Sequence, residues 1–328
     1  MPKNFIKKIA VIGGGSWGTA VANLIARNGF EVNLWCYEKE VVDNIKEFAI
    51  NKQYLPDIKL DKKIVPKLSL KDSIKDVVIV FEAVPVKFLR GTFKNLKSYV
   101  TKNQRFVVLS KGVENETLFL PSNIIKDVLN YENIFAVVGG PNPAKELAEK
   151  NLMGATVASK DKNFAEQISK ILSNDYFRAE ISDDVIGTQV GGALKNVIAI
   201  FLGILSASGF KDSTISYFLA KGFAEIATIS NFYEGEKETV YGLSGFGDLF
   251  LAVMGSSRNF MLGKSIASGN SLNEISRDFG ILPEGVNTAK SIYALIIKEN
   301  LNTPVCKGVY QILFEEQSIK SVIESILK

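Results

Sequence analysis

Histidine is absent from all 328 residues. Its absence removes every Ser-His or Cys-His triad, every imidazole-ligated metal and every imidazole general base. Proton transfer is left to Lys, Asp, Glu, Tyr, Cys or water. Cysteine is nearly absent: Cys36 and Cys306 are the only two. They cannot build a Cys-only zinc site and form at most one disulfide. The expectation is a reduced, cytoplasmic chain without a metal. Charge of one sign is scarce as well. Lys plus Arg number 39 against 35 Asp plus Glu, a formal +4 with no long block of either sign. That argues against a dedicated nucleic-acid binder and is compatible with an anionic small substrate. Long apolar runs are also missing. The opening Met-Pro-Lys-Asn-Phe-Ile-Lys-Lys leads into a short run ended by Gly13, unlike a secretory signal. The most apolar stretch, 197–205, follows Lys195 and is too short to cross a bilayer. It reads as a helix buried in protein, with no membrane insertion.

What is present is an ordinary globular composition, 46% hydrophobic and 23% charged, long enough for two domains. Short Val- and Ile-rich runs at 8–12, 31–35, 77–81, 106–109, 134–138 and 155–158 read as strands buried on both faces of a parallel sheet. Between them lie helical patterns such as 19–28 and 117–129. From about Asp183 the candidates are almost all helices: 185–208, 214–233, 259–268, 285–299 and 305–315. Pro283 and Pro304 mark the starts of the last two. The expected architecture is an α/β N-terminal doubly wound (Rossmann) domain, residues 1–188, plus an all-α C-terminal domain, residues 189–328. The apolar helices of the second half could support a homodimer or be internal core.

Gly13-Gly14-Gly15-Ser16-Trp17-Gly18 follows the first strand and opens the first helix. In that context it fits the dinucleotide fingerprint. Gly13 permits the tight turn, Gly15 lets the backbone approach a pyrophosphate, and Gly18 lets helix and strand pack closely. The helix N-terminus offers its N–H groups to the phosphates. After the second strand, Glu38 stands about where an acidic residue receives the ribose 2′-hydroxyl of NAD, with Lys39 beside it. The cofactor is therefore NAD or NADP, leaning to NAD. The rival reading of Glu38 is a residue that only starts the next helix.

Polar groups recur where apolar segments end. Lys111 follows 107–109, at the sheet edge where ligands bind in this architecture, or is a solvated loop lysine. Gly139-Gly140-Pro141-Asn142 and Glu82 close two further strands, with Glu82 expected as a rim carboxylate. Lys195, after Gly191 and Gly192, enters the most apolar helix. Without histidine it is the best candidate acid/base; otherwise it snorkels at a helix end. Asp248, in Gly245-Phe246-Gly247-Asp248, could orient an ammonium, hold substrate hydroxyls or cap a helix. Gly255-Ser256-Ser257-Arg258-Asn259 before a helix combines hydroxyls, a guanidinium and a helix N-terminus, a good phosphate site, or is a serine N-cap beside an exposed Arg.

In order and spacing, GGGSWGTA, SKGVENET, GGPNPAKELA, GGALKNVIAI, GFGDL, SSRN and PEGVNTAK resemble the motifs of the bacterial NAD(P)-dependent glycerol-3-phosphate dehydrogenases over nearly the whole chain. The resemblance implies reversible reduction of dihydroxyacetone phosphate to sn-glycerol 3-phosphate, the phospholipid backbone. It implies Lys195 as the catalytic acid/base. Lys111, Gly140, Asn142, Lys195, Asp248, Ser257, Arg258 and Asn259 would hold substrate. Gly13, Gly15, Ser16, Trp17, Gly18, Tyr37, Lys111, Ala144, Arg258, Leu282 and Glu284 would hold the dinucleotide. Asn142-Pro143 stands where the family usually has Ser or Thr then Phe, and Tyr37 where it often has Arg or His. Rival readings are a β-hydroxyacid or ketopantoate-type dehydrogenase, which would bind a carboxylate, and a non-catalytic dinucleotide sensor, which would oxidise no cofactor.

Overall fold

The structure, a computed structural model, describes residues 7–130, 135–254 and 257–328, with backbone alone for 278 and 279. Strand and helix alternate through the first half: β1 (Lys8–Ile12), α1 (Ser16–Arg27), β2 (Glu31–Trp35), α2 (Lys39–Phe48), β3 (Ile50–Asn51), β4 (Leu55–Lys59), β5 (Ile64–Lys67), α3 (Leu70–Ile74), β6 (Ile79–Glu82), α4 (Val86–Leu96), β7 (Arg105–Val108), α5 (Pro121–Leu129), β8 (Phe135–Gly139), α6 (Ala144–Ala148), β9 (Met153–Ala158), α7 (Lys162–Leu172) and β10 (Phe177–Ser182). Ile134, expected to open β8, lies outside the described residues. β3 and β4 form a small antiparallel pair; the other strands form one sheet in the order β10-β9-β8-β7-β6-β1-β2-β5. The pairings β1–β2, β1–β6, β2–β5, β6–β7, β7–β8 and β9–β10 are parallel.

Successive strand residues face opposite sides of a sheet, so strands buried at every position are covered on both. Ile9–Ile12 of β1 and all of β6 and β8 meet that condition. The edge strands do not. β5 carries Pro66, and in β10 only Phe177 is buried. Neither shows the continuous apolar run of an interior strand, which is why sequence patterning misses both. From β1 the chain moves outward to β2, then returns to place β6 on the other side of β1. The strand order reverses there, and the carboxyl ends of β1 and β6 form the switch point where open α/β sheets bind ligands.

The chain separates into two compact units. The sheet unit runs to Ser110 and includes Ser122–Val138 and Asn142–Val185. The helical unit takes Ile186 onward and also claims Lys111–Pro121 and Gly139–Pro141. Its elements are α8 (Val185–Ala207), α9 (Asp212–Phe232), α10 (Lys237–Val240), a wide π-helical turn (Leu243–Gly247), α11 (Asp248–Val253), α12 (Arg258–Ala267), α13 (Leu272–Phe279), α14 (Glu284–Glu299), α15 (Pro304–Phe314) and α16 (Ile319–Leu327). α8 is long and apolar enough to cross a membrane, but 83% of its most apolar window is buried inside the protein. Between Gly187 and Leu205 every residue except Lys195 is buried. A helix apolar on all sides belongs in a core, and α8 is the axis around which the helical unit packs.

Candidate active site

The first turn after β1 is shaped by contacts that tolerate no side chain. Gly13 has φ +124°, and a Cβ there would lie 2.4 Å from the Ala83 carbonyl oxygen. A Cβ on Gly18 would come within 1.9 Å of the Gly13 carbonyl oxygen. These glycines are demanded by the fold. Gly15 is different: a Cβ at that position meets nothing within 4 Å. Its glycine has no internal steric cause, and the open space is what a pyrophosphate needs. Gly15 is also the N-cap of α1 and gives no side-chain cap, so first-turn N–H groups are left for an anion. The buried Trp17 indole N–H has no partner. A dinucleotide therefore fits the residues present.

A buried asparagine braces this turn. The Asn51 amide donates to the Gly14 carbonyl and to Thr19 Oγ1, each at 2.8 Å. The Ser16 hydroxyl donates to the Tyr54 carbonyl at 2.8 Å, and the Tyr54 phenol donates to Glu38 Oε1 at 2.8 Å. Burial, reinforced by Glu38, pushes the Tyr54 phenol up to about 12, so it remains a donor at physiological pH. Tyr37 is exposed and edge-on to Trp35. Ala144 begins α6.

Glu82 is not on a rim. It ends β6 with no exposed surface, accepting from the Val84 N–H at 2.6 Å and from the Ser110 hydroxyl at 2.8 Å. The strand interior desolvates it and pushes its carboxyl up to about 7.

The helical unit gathers a second set of side chains around one carboxylate. Asp248 opens α11 directly after the π-helical turn and is 1% exposed. Its Oδ1 lies 2.7 Å from Lys195 Nζ and its Oδ2 lies 2.5 Å from Lys111 Nζ. Lys111 also donates to the Gly140 carbonyl at 3.1 Å. Two ammonium groups thus share one buried carboxylate, leaving one net positive charge. Desolvation lowers the pKa of Lys111 and neighbouring Lys195 lowers it further, while Asp248 opposes both.

Small residues make this cluster possible. A Cβ on Gly191 would stand 2.6 Å from the Ser244 carbonyl, and one on Gly192 would stand 3.3 Å from the Lys111 stem. One turn of α8 therefore admits both the chain leading to Asp248 and the second lysine. Beside Lys195, Asn196 accepts from the Asn259 amide at 2.9 Å, and Asn259 accepts from the Gly285 N–H at 3.0 Å. Asn259 thereby ties α8, α12 and the start of α14 together.

The remaining expected residues lie on several elements. Ser257 caps α12, accepting from the Phe260 N–H at 3.1 Å and donating to the Ala252 carbonyl at 2.7 Å. Arg258 is the first residue of α12, and its guanidinium donates to the Ile281 carbonyl, just ahead of Leu282 and Glu284. Asn142 belongs to the sheet unit and donates to the Gly154 carbonyl at 2.7 Å. Gly255 and Ser256 lie outside the described residues. Asn51, Tyr54, Ser110 and Asn196 were not anticipated as site residues. Asn196 and Ser110 carried a signal, their places next to Lys195 and Lys111. Among the described residues no group of three or more Cys, Asp and Glu could hold a metal.

Residues 8–165 match the family model for the N-terminus of NAD-dependent glycerol-3-phosphate dehydrogenase, and residues 184–324 match the model for its C-terminus. A curated relative from Bacillus velezensis, glycerol-3-phosphate dehydrogenase [NAD(P)+], is 34% identical over 98% of this chain and 94% of its own length. One of the same name from Staphylococcus epidermidis is 33% identical over 98% of each chain. The crystal structure of glycerol-3-phosphate dehydrogenase from Coxiella burnetii superposes with a TM-score of 0.93 at 28% identity, covering 98% of both chains. With a nucleotide turn in its sheet unit and paired lysines on a carboxylate in its helical unit, the chain belongs to the NAD-dependent glycerol-3-phosphate dehydrogenase family of oxidoreductases.

Proposed function

We propose that this chain reduces dihydroxyacetone phosphate to sn-glycerol 3-phosphate with NAD(P)H, reversibly, with Lys195 as general acid/base. The single observation that carries the reading is Lys195 and Lys111 held on Asp248 in a family whose curated members use NAD(P). When bound, the nicotinamide supplies the hydride. The chain's own residues supply the rest. Protonated Lys195 hydrogen-bonds the substrate carbonyl oxygen, polarises it, and gives up a proton as negative charge develops there. Asp248 fixes the direction of the ammonium, and the positive charge of Lys111 favours the developing alkoxide. In the reverse direction neutral Lys195 accepts the hydroxyl proton.

Arg258 and the N-terminus of α12 are assigned to the substrate phosphate, a remote anchor that positions the reacting carbon. Gly140, Asn142, Ser257 and Asn259 complete the substrate assignment. Asn142, Ser257 and Asn259 are already hydrogen-bonded within the protein, so they act through remaining valences or by positioning neighbours. For the dinucleotide we assign Gly13, Gly15, Ser16, Trp17, Gly18, Tyr37 and Ala144, with Lys111, Arg258, Leu282 and Glu284. The division of labour falls at 188/189. The two cysteines are free and buried, which supports a cytoplasmic setting, where the product would feed phospholipid synthesis. A homodimer belongs to the same proposal and is read by sedimentation velocity.

The test is the initial rate of NADH and NADPH oxidation with dihydroxyacetone phosphate, set against 2-ketopantoate and 3-oxo acids. Rapid oxidation with the phosphorylated ketone alone is expected. Preference for a carboxylate substrate, or oxidation with none, would refute the assignment.

A further inference from the structure

We infer that Glu82 is a positioning residue for Lys111: its buried carboxyl ties the chain leaving β6 to Ser110, the residue from which Lys111 departs. The inference rests on the roles proposed above for Lys111 and adds to them the group that fixes where its side chain starts.

The last place in β6 is a costly one for a carboxyl. The strand reads Ile79-Val80-Phe81-Glu82 and is buried throughout, and a fourth apolar residue there would carry no desolvation cost. Glu82 stands in register with Ile12 of β1 and Val108 of β7, at the carboxyl edge of the sheet and beside the strand that feeds the glycine-rich turn. Its carbonyl accepts from the Leu109 N–H at 2.9 Å. Its side chain reaches two loops: Oε1 accepts from the Val84 N–H and Oε2 from the Ser110 hydroxyl. Ala83, between Glu82 and Val84, donates to the Ile12 carbonyl at 2.8 Å, and its own carbonyl is the group that excludes a side chain at Gly13. One carboxyl therefore joins the chain lying on the glycine turn to Ser110, and Lys111 comes next. A lysine side chain is long and rich in rotamers. An ammonium set 2.5 Å from Asp248 and 3.1 Å from the Gly140 carbonyl depends on a fixed point of departure.

The tie between Glu82 and Ser110 depends on the carboxyl's proton. Ionised, Glu82 accepts from both Val84 and Ser110, and such charge-assisted hydrogen bonds are about twice as strong as neutral ones. Protonated, it keeps Ser110 only by donating to the hydroxyl oxygen, in a neutral bond. Burial raises the carboxyl to about 7, so both forms occur near neutral pH. Among the described residues no charged side chain meets it. The flanking strands β1 and β7 carry only Lys8 and Arg105, each at the end remote from Glu82. Of the helices that follow β1 and β6, α1 carries only Arg27, its last residue, while α4 holds Arg90, paired with Asp127 at 2.5 Å, and exposed Lys87 and Lys94. The Lys111 ammonium is committed to Asp248. A buried ionisable group without an ion partner, at the edge of a site, weakens the fold when it ionises, yet in that form it holds Ser110 most firmly.

The experiment compares the purified full chain as wild type, Glu82→Gln and Ser110→Ala between about pH 5.5 and 8.5. Without ligands, the infrared band of a protonated carboxyl that Glu82→Gln removes should fade in wild type with a midpoint of about 7. In Ser110→Ala that midpoint should rise, because the Ser110 hydroxyl favours the ionised form. With dihydroxyacetone phosphate and NADH, wild-type kcat/KM should climb about fivefold through the same midpoint, the difference between a charge-assisted and a neutral tie. Glu82→Gln reproduces the protonated form, so it should match wild type near the acid end and lack the climb. Ser110→Ala should be slower at both ends and equally flat. A carboxyl that only holds the fold together would change stability and leave the pH profile of the folded enzyme alone. If Glu82→Gln does not fold, the kinetic profile of Ser110→Ala carries the test. A midpoint unmoved in Ser110→Ala would overturn the inference, as would a climb near pH 7 that survives in either variant. A wild type that oxidises no NADH with dihydroxyacetone phosphate would overturn the roles proposed for Lys111, while the infrared midpoints would still report whether Glu82 holds Ser110.

Discussion

Asp248 carries more of the site than its size suggests. Its two oxygens neutralise one of two ammonium groups whose own side chains are only 14% and 23% exposed. Removing that charge leaves two lysines crowded together with no counterion. Asp248→Asn should therefore lower unfolding stability by about 3 kcal/mol, the usual cost of breaking a buried pair on one side. Urea denaturation checks this, and an unchanged midpoint would show that the pairs hold nothing. Lys195 was legible in the sequence because a lone cation in an apolar helix is expensive and needs a reason. Asp248 was legible as a carboxylate that could orient an ammonium, but which ammonium was not, because it lies 53 positions from Lys195 and only the fold brings them together. Asn51 and Tyr54 were silent for the same cause: a polar residue between strands gives no hint of which backbone group it will meet. Glu82 was misjudged because a strand end can be rim or interior, and only the neighbouring strands decide.

The elements of the sheet unit separate two kinds of glycine that one motif writes alike. Gly18→Ala would drive a methyl group to 1.9 Å from the Gly13 carbonyl, against backbone that cannot yield cheaply. It should cost about 2–3 kcal/mol or more in stability. Gly15→Ala meets open space and should cost about 1 kcal/mol at most, the loss of a tolerated N-cap. Its NADH affinity should nonetheless fall about tenfold, because the added methyl occupies the line of approach to the pyrophosphate. Thermal melts paired with NADH titrations distinguish the two, and a Gly15→Ala protein with wild-type affinity would count against a bound pyrophosphate at this turn. Interior strands and most long helices were readable from periodicity. β5 and β10 were not, since edge strands lack the buried face that writes the pattern.

Each unit of the whole molecule contains a buried carboxylate that works against it at neutral pH. Glu82 sits in the sheet unit. In the helical unit Glu225 of α9 accepts from the Val305 and Cys306 N–H groups at the start of α15, at 2.6 and 2.8 Å. Burial pushes both carboxyls from 4.5 to about 7. The folded chain then holds more protons than the unfolded one between those values, so stability falls as pH rises through the window. Each shift corresponds to about 3 kcal/mol. Urea unfolding should give a lower free energy at pH 7.5 than at pH 5 from these groups, and Glu82→Gln with Glu225→Gln should flatten the slope. A slope unchanged in the double variant would contradict the assignment.

The general acid/base itself is tested most directly by the turnover of Lys195→Ala with dihydroxyacetone phosphate, measured beside its affinity for NADH. The account predicts a loss of about 10²–10⁴-fold in kcat with cofactor binding retained within a few-fold. Turnover near that of the wild type would contradict it.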